Sequence, residues 1–334
     1  MRTFRRLSSP RVSERFVNLQ ALLSATYWSG RAVDAYWRWQ RLPKGKPTVL
    51  TWPVDRELLR EATVVWPAVY EWAPFRNWGE QLRSALSFFV KTDVGDVPQP
   101  YRGVIVFLLS HRGRQFRVNV EVSDYLDLNE NAYEHADLHF KMQYRLEGYG
   151  DRDRLVPGGY LNNHPDIYAF LPHLRALRDA APPRYDVHGR FGLSFEARRK
   201  ALAILGASTA FRFRGGQKKV RYGSFLREVA RSRICIDLPS YSPVTFRLID
   251  YLAIGSCVIG PPHESRLHVP LEDGVHLVYC KPDYSDLEEL CVHYLAHTDA
   301  RRALVQNSRR FFEAYLSRQQ LAAYYLHQCA RLLT

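Results

Sequence analysis

From Pro47 onward, short apolar runs alternate with segments whose apolar residues recur every three or four positions. Runs such as Val64–Trp66, Val104–Leu109 and Cys257–Gly260 predict buried strands, because a strand covered on both faces needs apolar residues on both. The alternation of Phe116, Val118, Val120 and Val122 predicts a further strand over 115–122, and Thr48–Trp52 reads as another. Helical spacing predicts helices over 79–90 and 166–179. The second half is more regular: strand 185–191, helix 195–205, strand 209–214, helix 223–231, strand 234–238, helix 245–253 and strand 257–260. A strand at 275–280 and three helices, at about 285–297, 299–316 and 318–333, complete it. Gly255 stands where a helix ends on a left-handed residue. This alternation predicts an α/β protein, and its second half follows a doubly wound, nucleotide-binding pattern. Turn-forming clusters at Val156–Gly159 and Ala181–Pro183 place a boundary near 155–184.

The first 46 residues differ in character. They hold ten Lys or Arg against Glu14 and Asp34, a net of +8, while the whole chain carries +13. Helical periodicity over Arg15–Arg41, with Phe16, Leu19, Leu23 and Tyr27 on one face, predicts an amphipathic helix that Gly30 interrupts. Such a basic, aromatic helix suits an anionic membrane surface or another acidic partner; packing on its own domain is the plainer alternative. The expected division is a basic aromatic appendage (1–46), an N-terminal α/β domain (47–180), and a C-terminal doubly wound domain with terminal helices (181–334).

Composition excludes several classes. With 46% hydrophobic and 24% charged residues the chain is an ordinary globular one. No stretch is long and apolar enough to predict a membrane span. The five cysteines are odd in number and show no CxxC spacing, and free thiols suit a reducing, cytoplasmic setting. Dinucleotide, P-loop and zinc-hydrolase motifs are missing, as is the GxSxG elbow, so no metal site is expected.

The candidate chemistry gathers in PSYSPVTFRLIDYLAIGSCVIG, residues 239–260. A strand ends, a small polar loop carrying Tyr241 turns, and a helix begins at Thr245. Helix N-termini attract anions, and Arg247 in the first turn suits a phosphate bidentately. Asp250, three residues on, shares its face and suits two ribose hydroxyls. The alternative is an i, i+3 surface pair worth a few tenths of a kcal/mol.

These residues resemble a known family. Tyr222–Ser232 (YGSFLREVARS), ICIDLP, FRLIDYLAIGSCVIG, Asp273-Gly274 and Asp286-Leu287 resemble the C-terminal half of GT-B glycosyltransferases, with the CgeB-like and exostosin-like enzymes the nearest group. That pattern sets an acid five positions before a glycine and an apolar strand, here Asp250, Gly255 and CVIG. The family acid is usually glutamate, and the upstream acid of its longer pattern falls at Ser242. The resemblance implies a GT-B fold, two Rossmann-like domains facing across a cleft. It implies metal-independent transfer of a sugar, of hexosyltransferase type, from a nucleotide-sugar to an acceptor hydroxyl. No cofactor is implied beyond the nucleotide-sugar co-substrate. Cations then stabilise the leaving diphosphate: Arg247 foremost, with Arg190, Arg212 and the Gly215-Gly216 loop. Tyr241, Thr245 and Asp250 complete the implied donor site. An inverting enzyme also needs a base from the N-terminal domain; Asp124, at the end of strand 115–122, is the first candidate and His139 the second. His139 and Lys141 alternate with Leu138 and Phe140, so a strand with one polar face explains them equally.

The acceptor stays open among polysaccharide, lipid-linked sugar, protein and modified nucleic acid. Two other readings compete: a basic nucleic-acid-binding protein, and a catalytically inactive GT-B scaffold. The expected location is cytoplasmic, with peripheral membrane contact through residues 1–46.

Overall fold

The computed structural model describes residues 25–40, 49–70, 76–162, 164–192 and 195–334. Most of the basic segment, residues 1–24 and 41–48, lies outside them. The chain divides into two compact units, residues 1–43 and 44–334. In the first, α1 (Ala25–Trp39) is one continuous helix. Gly30 sits inside it and does not interrupt it, since a single glycine costs a helix only about 1 kcal/mol. Its aromatics Trp28, Tyr36 and Trp39 are exposed.

Among the described residues of the second unit, strands build two principal sheets and one short ladder. Residues 49–52 form no strand, contrary to expectation. Their backbone is held instead by a side-chain amide: Thr51 N donates to Gln320 Oε1 at 2.9 Å, and Gln320 Nε2 donates to the Val49 carbonyl at 2.8 Å. After a short helix, α2 (Arg56–Arg60), comes the first sheet. Its strands are β1 (Ala62–Pro67), β2 (Lys91–Gly95), β3 (Val104–His111), β4 (Arg114–Glu121), β5 (Leu138–Lys141) and β7 (Leu155–Pro157), in the order β2-β1-β3-β4-β5-β7. Five strands run one way, and β3 runs antiparallel to both its neighbours. The reversal follows from a two-residue hairpin turn in which Arg112 and Gly113 both take positive φ, 48° and 78°, the backbone of a tight primed turn. Helix α3 (Arg76–Leu86) connects β1 to β2 and buries Trp78, Leu82 and Leu86, while Trp66 stacks on Phe107 within the sheet. A short helix, α4 (Glu130–Glu134), joins β4 to β5.

Helix α5 (Asp166–Ala180) leads to the second sheet, made of β8 (Tyr185–Arg190), β9 (Phe213–Gly216), β10 (Ser232–Ile236), β11 (Cys257–Gly260) and β13 (Val278–Tyr279). All its pairings are parallel, in the order β9-β8-β10-β11-β13. Numbered by sequence this is 2-1-3-4-5, a doubly wound sheet with its switch point between β8 and β10. Helices α6 (Glu196–Ala207), α7 (Tyr222–Ala230), α8 (Phe246–Ile254), α9 (Leu287–Ala296) and α10 (Thr298–Phe311) flank it, around a core of Val187, Ile234, Ile236, Cys257 and Ile259. The five cysteines are buried and form no disulfide. The protein is thus α/β, two Rossmann-like halves in the manner of a GT-B fold, the first carrying one antiparallel strand.

The chain then crosses back. After a π-helical turn at Phe312–Leu316, α11 (Arg318–Ala330) leaves the second sheet and packs on the first. Tyr325 stacks on Phe140 at 4.1 Å, and the Tyr324 hydroxyl donates to the Pro157 carbonyl at 2.6 Å. The ladder β6 (Tyr144–Arg145) with β12 (Ser265–Arg266) ties the halves a second time.

Candidate active site

Loops from both sheets meet over a cleft of about 370 Å³. Tyr125, Leu126 and Asp127, beyond β4, form one wall. The other comes from carboxyl-edge loops of the second sheet: Tyr241 and neighbours after β10, His263 after β11, and Tyr284 after β13. A second hollow of about 320 Å³ lies at the carboxyl ends of β8 and β9, lined by Arg190, Phe191, Lys218, Lys219, Tyr222 and Phe225. Ligands of open α/β sheets settle at this edge, next to the switch point.

Asp237, one residue beyond β10, organises the edge. It is fully buried, and its Oδ1 accepts from Thr245 Oγ1 at 3.1 Å. Its Oδ2 meets His263 Nε2 at 3.5 Å, and His263 Nδ1 faces the Tyr279 hydroxyl at 3.2 Å. Burial pushes this carboxyl's pKa up, but His263, the Arg247 charge and Thr245 outweigh burial and hold it below the ordinary value. Thr245 is the N-cap of α8, its Oγ1 accepting from Leu248 N at 3.3 Å. Arg247, in the first turn, places Nε 3.9 Å from Asp237 Oδ1 and donates from Nη1 to the Arg190 carbonyl at 3.1 Å. Its guanidinium lies over the Phe191 ring. A charged helix N-terminus therefore stands at the switch point with its arginine set by a buried carboxylate.

The structure sorts the residues expected from sequence. Arg247, Thr245, Arg190 and Tyr241 come together at the carboxyl edge. Tyr241 is exposed, against Phe195. Arg190 is gripped by Glu228 through Nε and Nη2, a carboxylate that also takes Arg214 and faces His188. Asp124, next to the Tyr125–Asp127 wall, is exposed and accepts a hydrogen bond from Ser242 Oγ, which joins the loops that carry the two walls.

Three expectations fail. Arg212 pairs with Asp186 near the start of β8, which is the amino edge of the sheet, the far side from the cleft. His139 is wholly buried, its Nε2 3.2 Å from Glu121 Oε2, so no acceptor hydroxyl reaches it. Asp250 is 2% exposed, and its Oδ1 accepts from Asn162 Nδ2 and the Tyr222 hydroxyl, both at 2.6 Å. It seals a junction between the halves instead of opening onto a ribose pocket. Burial, opposed by those two hydrogen bonds and by Arg247, pushes its pKa up to about 7.

Beneath the Asp124 loop lies a buried charge cluster. Lys141 Nζ donates to Glu121 Oε1 at 2.9 Å, Ser123 Oγ at 3.2 Å and the Tyr125 carbonyl at 2.6 Å. Glu121 also accepts from Ser123 Oγ at 2.9 Å and Asn129 N at 3.1 Å. The loop is thus pinned from below along its length. Sequence reasoning missed Asp237 and His263. The available signal was a lone acid closing the apolar run ICID and a histidine soon after CVIG.

Comparison with known proteins bears on the second half. Residues 170–327 match a glycosyl transferase-like family. The matched span holds the whole second sheet and the α8 edge. No curated protein matches the chain. Among solved structures the chain is similar to Alr3699/HepE of Anabaena, crystallised with UDP and glucose: 12% identity, TM-score 0.37, covering 61% of this chain and 64% of that one. It is also similar to a glycosyltransferase from Rickettsia africae: 11% identity, TM-score 0.37, covering 59% and 63%. The chain therefore spans a little under two thirds of the length of these structures. Among the described residues no helix is long and apolar enough to cross a membrane.

Proposed function

We propose that the protein is a glycosyltransferase that moves a sugar from a nucleotide-sugar donor to an acceptor hydroxyl, within the CgeB-like and exostosin-like group and of hexosyltransferase type. The observation carrying this is a coincidence of place. The segment matching the glycosyl transferase-like family is the one whose parallel sheet sets Arg247 and the α8 N-terminus at its switch point. In this reading the donor's diphosphate sits on Arg247 and the first-turn amides of α8, which stabilise charge as it develops on the leaving group without a bound metal. The hollow lined by Phe191, Tyr222 and Phe225 takes the nucleoside, and the cleft beside Tyr241 takes the acceptor. Asp124 accepts the acceptor's proton, exchanging its Ser242 partner for the incoming hydroxyl. The location is cytoplasmic, with residues 1–46 against an anionic membrane surface.

The test is a thermal-shift titration with UDP and GDP, since a ligand that binds only the folded state raises its melting temperature. UDP or GDP at a hundredfold excess over Kd stabilises by about 2.7 kcal/mol, and Arg247→Ala abolishes the shift. Absence of a shift with both nucleotides, or a shift untouched by Arg247→Ala, overturns the reading. One observation favours a second reading, a GT-B scaffold without transfer: Asp250 is closed off by Asn162 and Tyr222. Nucleotide binding without turnover of any nucleotide-sugar would support it.

A further inference from the structure

At the amino edge of the second sheet, away from the cleft, lies a cavity of about 440 Å³. Four arginines from three elements line it: Arg178 at the end of α5, Arg233 in β10, and Arg301 and Arg302 in the first turn and a half of α10. A single carboxylate, Asp179, shares the lining. It is already engaged, accepting from Arg309 Nη1 at 2.9 Å and Nη2 at 2.8 Å.

Two of the four arginines are satisfied by neutral groups, which leaves their charge standing. Arg178 Nη1 donates to the Ser232 carbonyl at 2.9 Å. Arg301 Nη1 donates to the Tyr294 and Leu295 carbonyls, and its Nη2 to Thr298 Oγ1. Two acids stand at the margin. Asp186 lies 3.4 Å from Arg233 Nε but also serves Arg212, and Asp299, almost fully exposed, lies 3.3 Å from Arg302. With Arg309 and Arg212 counted, six guanidiniums face three carboxylates. Burial, and then the neighbouring guanidiniums Arg233 and Arg302, push the Arg301 pKa below its ordinary value. Arginine stays protonated in proteins, so beside the larger effect of burial Arg301 carries repulsion from Arg233 and Arg302.

We infer that this cavity is a binding site for a phosphate-bearing small molecule, distinct from the cleft. Guanidinium forks match phosphate oxygens bidentately, and the volume lies in the range of small-molecule sites, larger than one phosphate group needs. The cationic lining and the limited volume together select a compact, multiply charged anion. This inference does not depend on the transferase reading.

Isothermal titration of the full chain with inorganic pyrophosphate, in low-salt buffer balanced with chloride, tests it. The expected result is a saturable event weakened at least tenfold in the double variant R233A/R302A. R233K/R302K, which keeps the charge, should retain affinity within about tenfold of the parent and above the alanine variant. Arg302 is largely solvent-exposed, so Arg302→Glu reverses charge at the mouth without disturbing the core and should weaken binding at least tenfold in a folded protein. Arg247→Ala, at the opposite edge, should leave this event in place. A parallel titration with orthophosphate separates a free-phosphate site, where it binds as tightly, from a site for a larger phosphorylated molecule, where pyrophosphate binds more tightly. No saturable binding of either anion in the Arg247→Ala background, which removes the diphosphate site of the cleft, or binding there that survives R233A/R302A and Arg302→Glu, overturns the proposal.

Discussion

Lys141→Met probes the pinned loop most directly. Lys141 is fully buried, and its ammonium lies 2.9 Å from Glu121 Oε1. At that distance, and an effective dielectric of 20, the attraction is about 6 kcal/mol, much of it offset by the desolvation of both charges. Removing one partner from such a pair costs about 3–5 kcal/mol, because the other charge stays buried and uncompensated. Glu121 keeps Ser123, Asn129 N and His139 as partners, so the low end, about 3 kcal/mol, is expected. At about 2–4 °C per kcal/mol that is roughly 6–12 °C in melting temperature. The pH dependence gives a sharper signature. In the parent protein burial raises the Glu121 pKa, and His139 and Lys141 outweigh it and hold it low. Without the ammonium the carboxyl's folded pKa rises above its unfolded value. The penalty is then full above that raised pKa and fades as pH falls through it, because a neutral acid tolerates burial. Scanning calorimetry at pH 7.5 and pH 5 reads both features, and E121Q/K141M should recover most of the loss. A variant as stable as the parent at pH 7.5, or a deficit equal at the two pH values, would refute the argument.

Other predictions follow from the same physics. Asp250, with a folded pKa raised to about 7, is destabilising when ionised. Its contribution is neutral below about pH 4, where folded and unfolded states are both protonated, and stability falls as pH rises from 4 to 7. About three units correspond to roughly 4 kcal/mol, so Asp250→Asn, which keeps an acceptor for Tyr222 and Asn162, should gain up to about that much at pH 8 and flatten the profile measured by urea melts. Gly255 ends α8 at φ 82°, and an added Cβ would lie 2.3 Å from Arg309 Nε. Gly255→Ala should therefore cost about 1–3 kcal/mol by denaturant unfolding. Gln143, buried between the halves, accepts from Val244 N and Ser265 Oγ and donates to the Val244 carbonyl. Gln143→Ala leaves those groups without partners, for a loss of about 3 kcal/mol and faster amide exchange at Val244.

Much of the second half was legible because its strands are buried on both faces and its helices are amphipathic, so periodicity alone marks them. The α8 edge was legible for the same reason: Thr245 and Gly255 cap a helix by local rules, and Arg247 follows from the cap. Asp250 was misread because its environment is not local. Nothing within a turn of it reveals that Asn162, 88 positions earlier, and Tyr222 close over it. His139 and Lys141 showed a polar face by alternation, but a polar face is solvent-facing only if no partner strand supplies a charge. Here β4 supplies Glu121, which turns the face into a buried network. Arg212 failed by direction: a basic loop looks alike from either end of a strand, and only the register of Val187 with Phe213 shows that residue 212 lies at the amino edge.

These contacts divide the cleft into a fixed floor and an exchangeable mouth. The floor is made of buried groups, each of which carries a desolvation cost if parted: the Gln143 amide against Val244 and Ser265, Asn162 on Asp250, and the β6–β12 ladder. Opening the halves at that level strands several polar groups at about 1–3 kcal/mol each. The mouth is held by Ser242 on Asp124, where the exposed carboxylate can take water in exchange while the buried Ser242 hydroxyl gives up a partner. In the proposed reading an acceptor enters between the Ser123–Asp127 and Ser240–Pro243 loops, which Ser242 and Asp124 join. The first of these is the segment that Glu121 and Lys141 grip from beneath, so the buried charge cluster sets how far the proposed base can travel while the sheet edge carrying Arg247 stays in place.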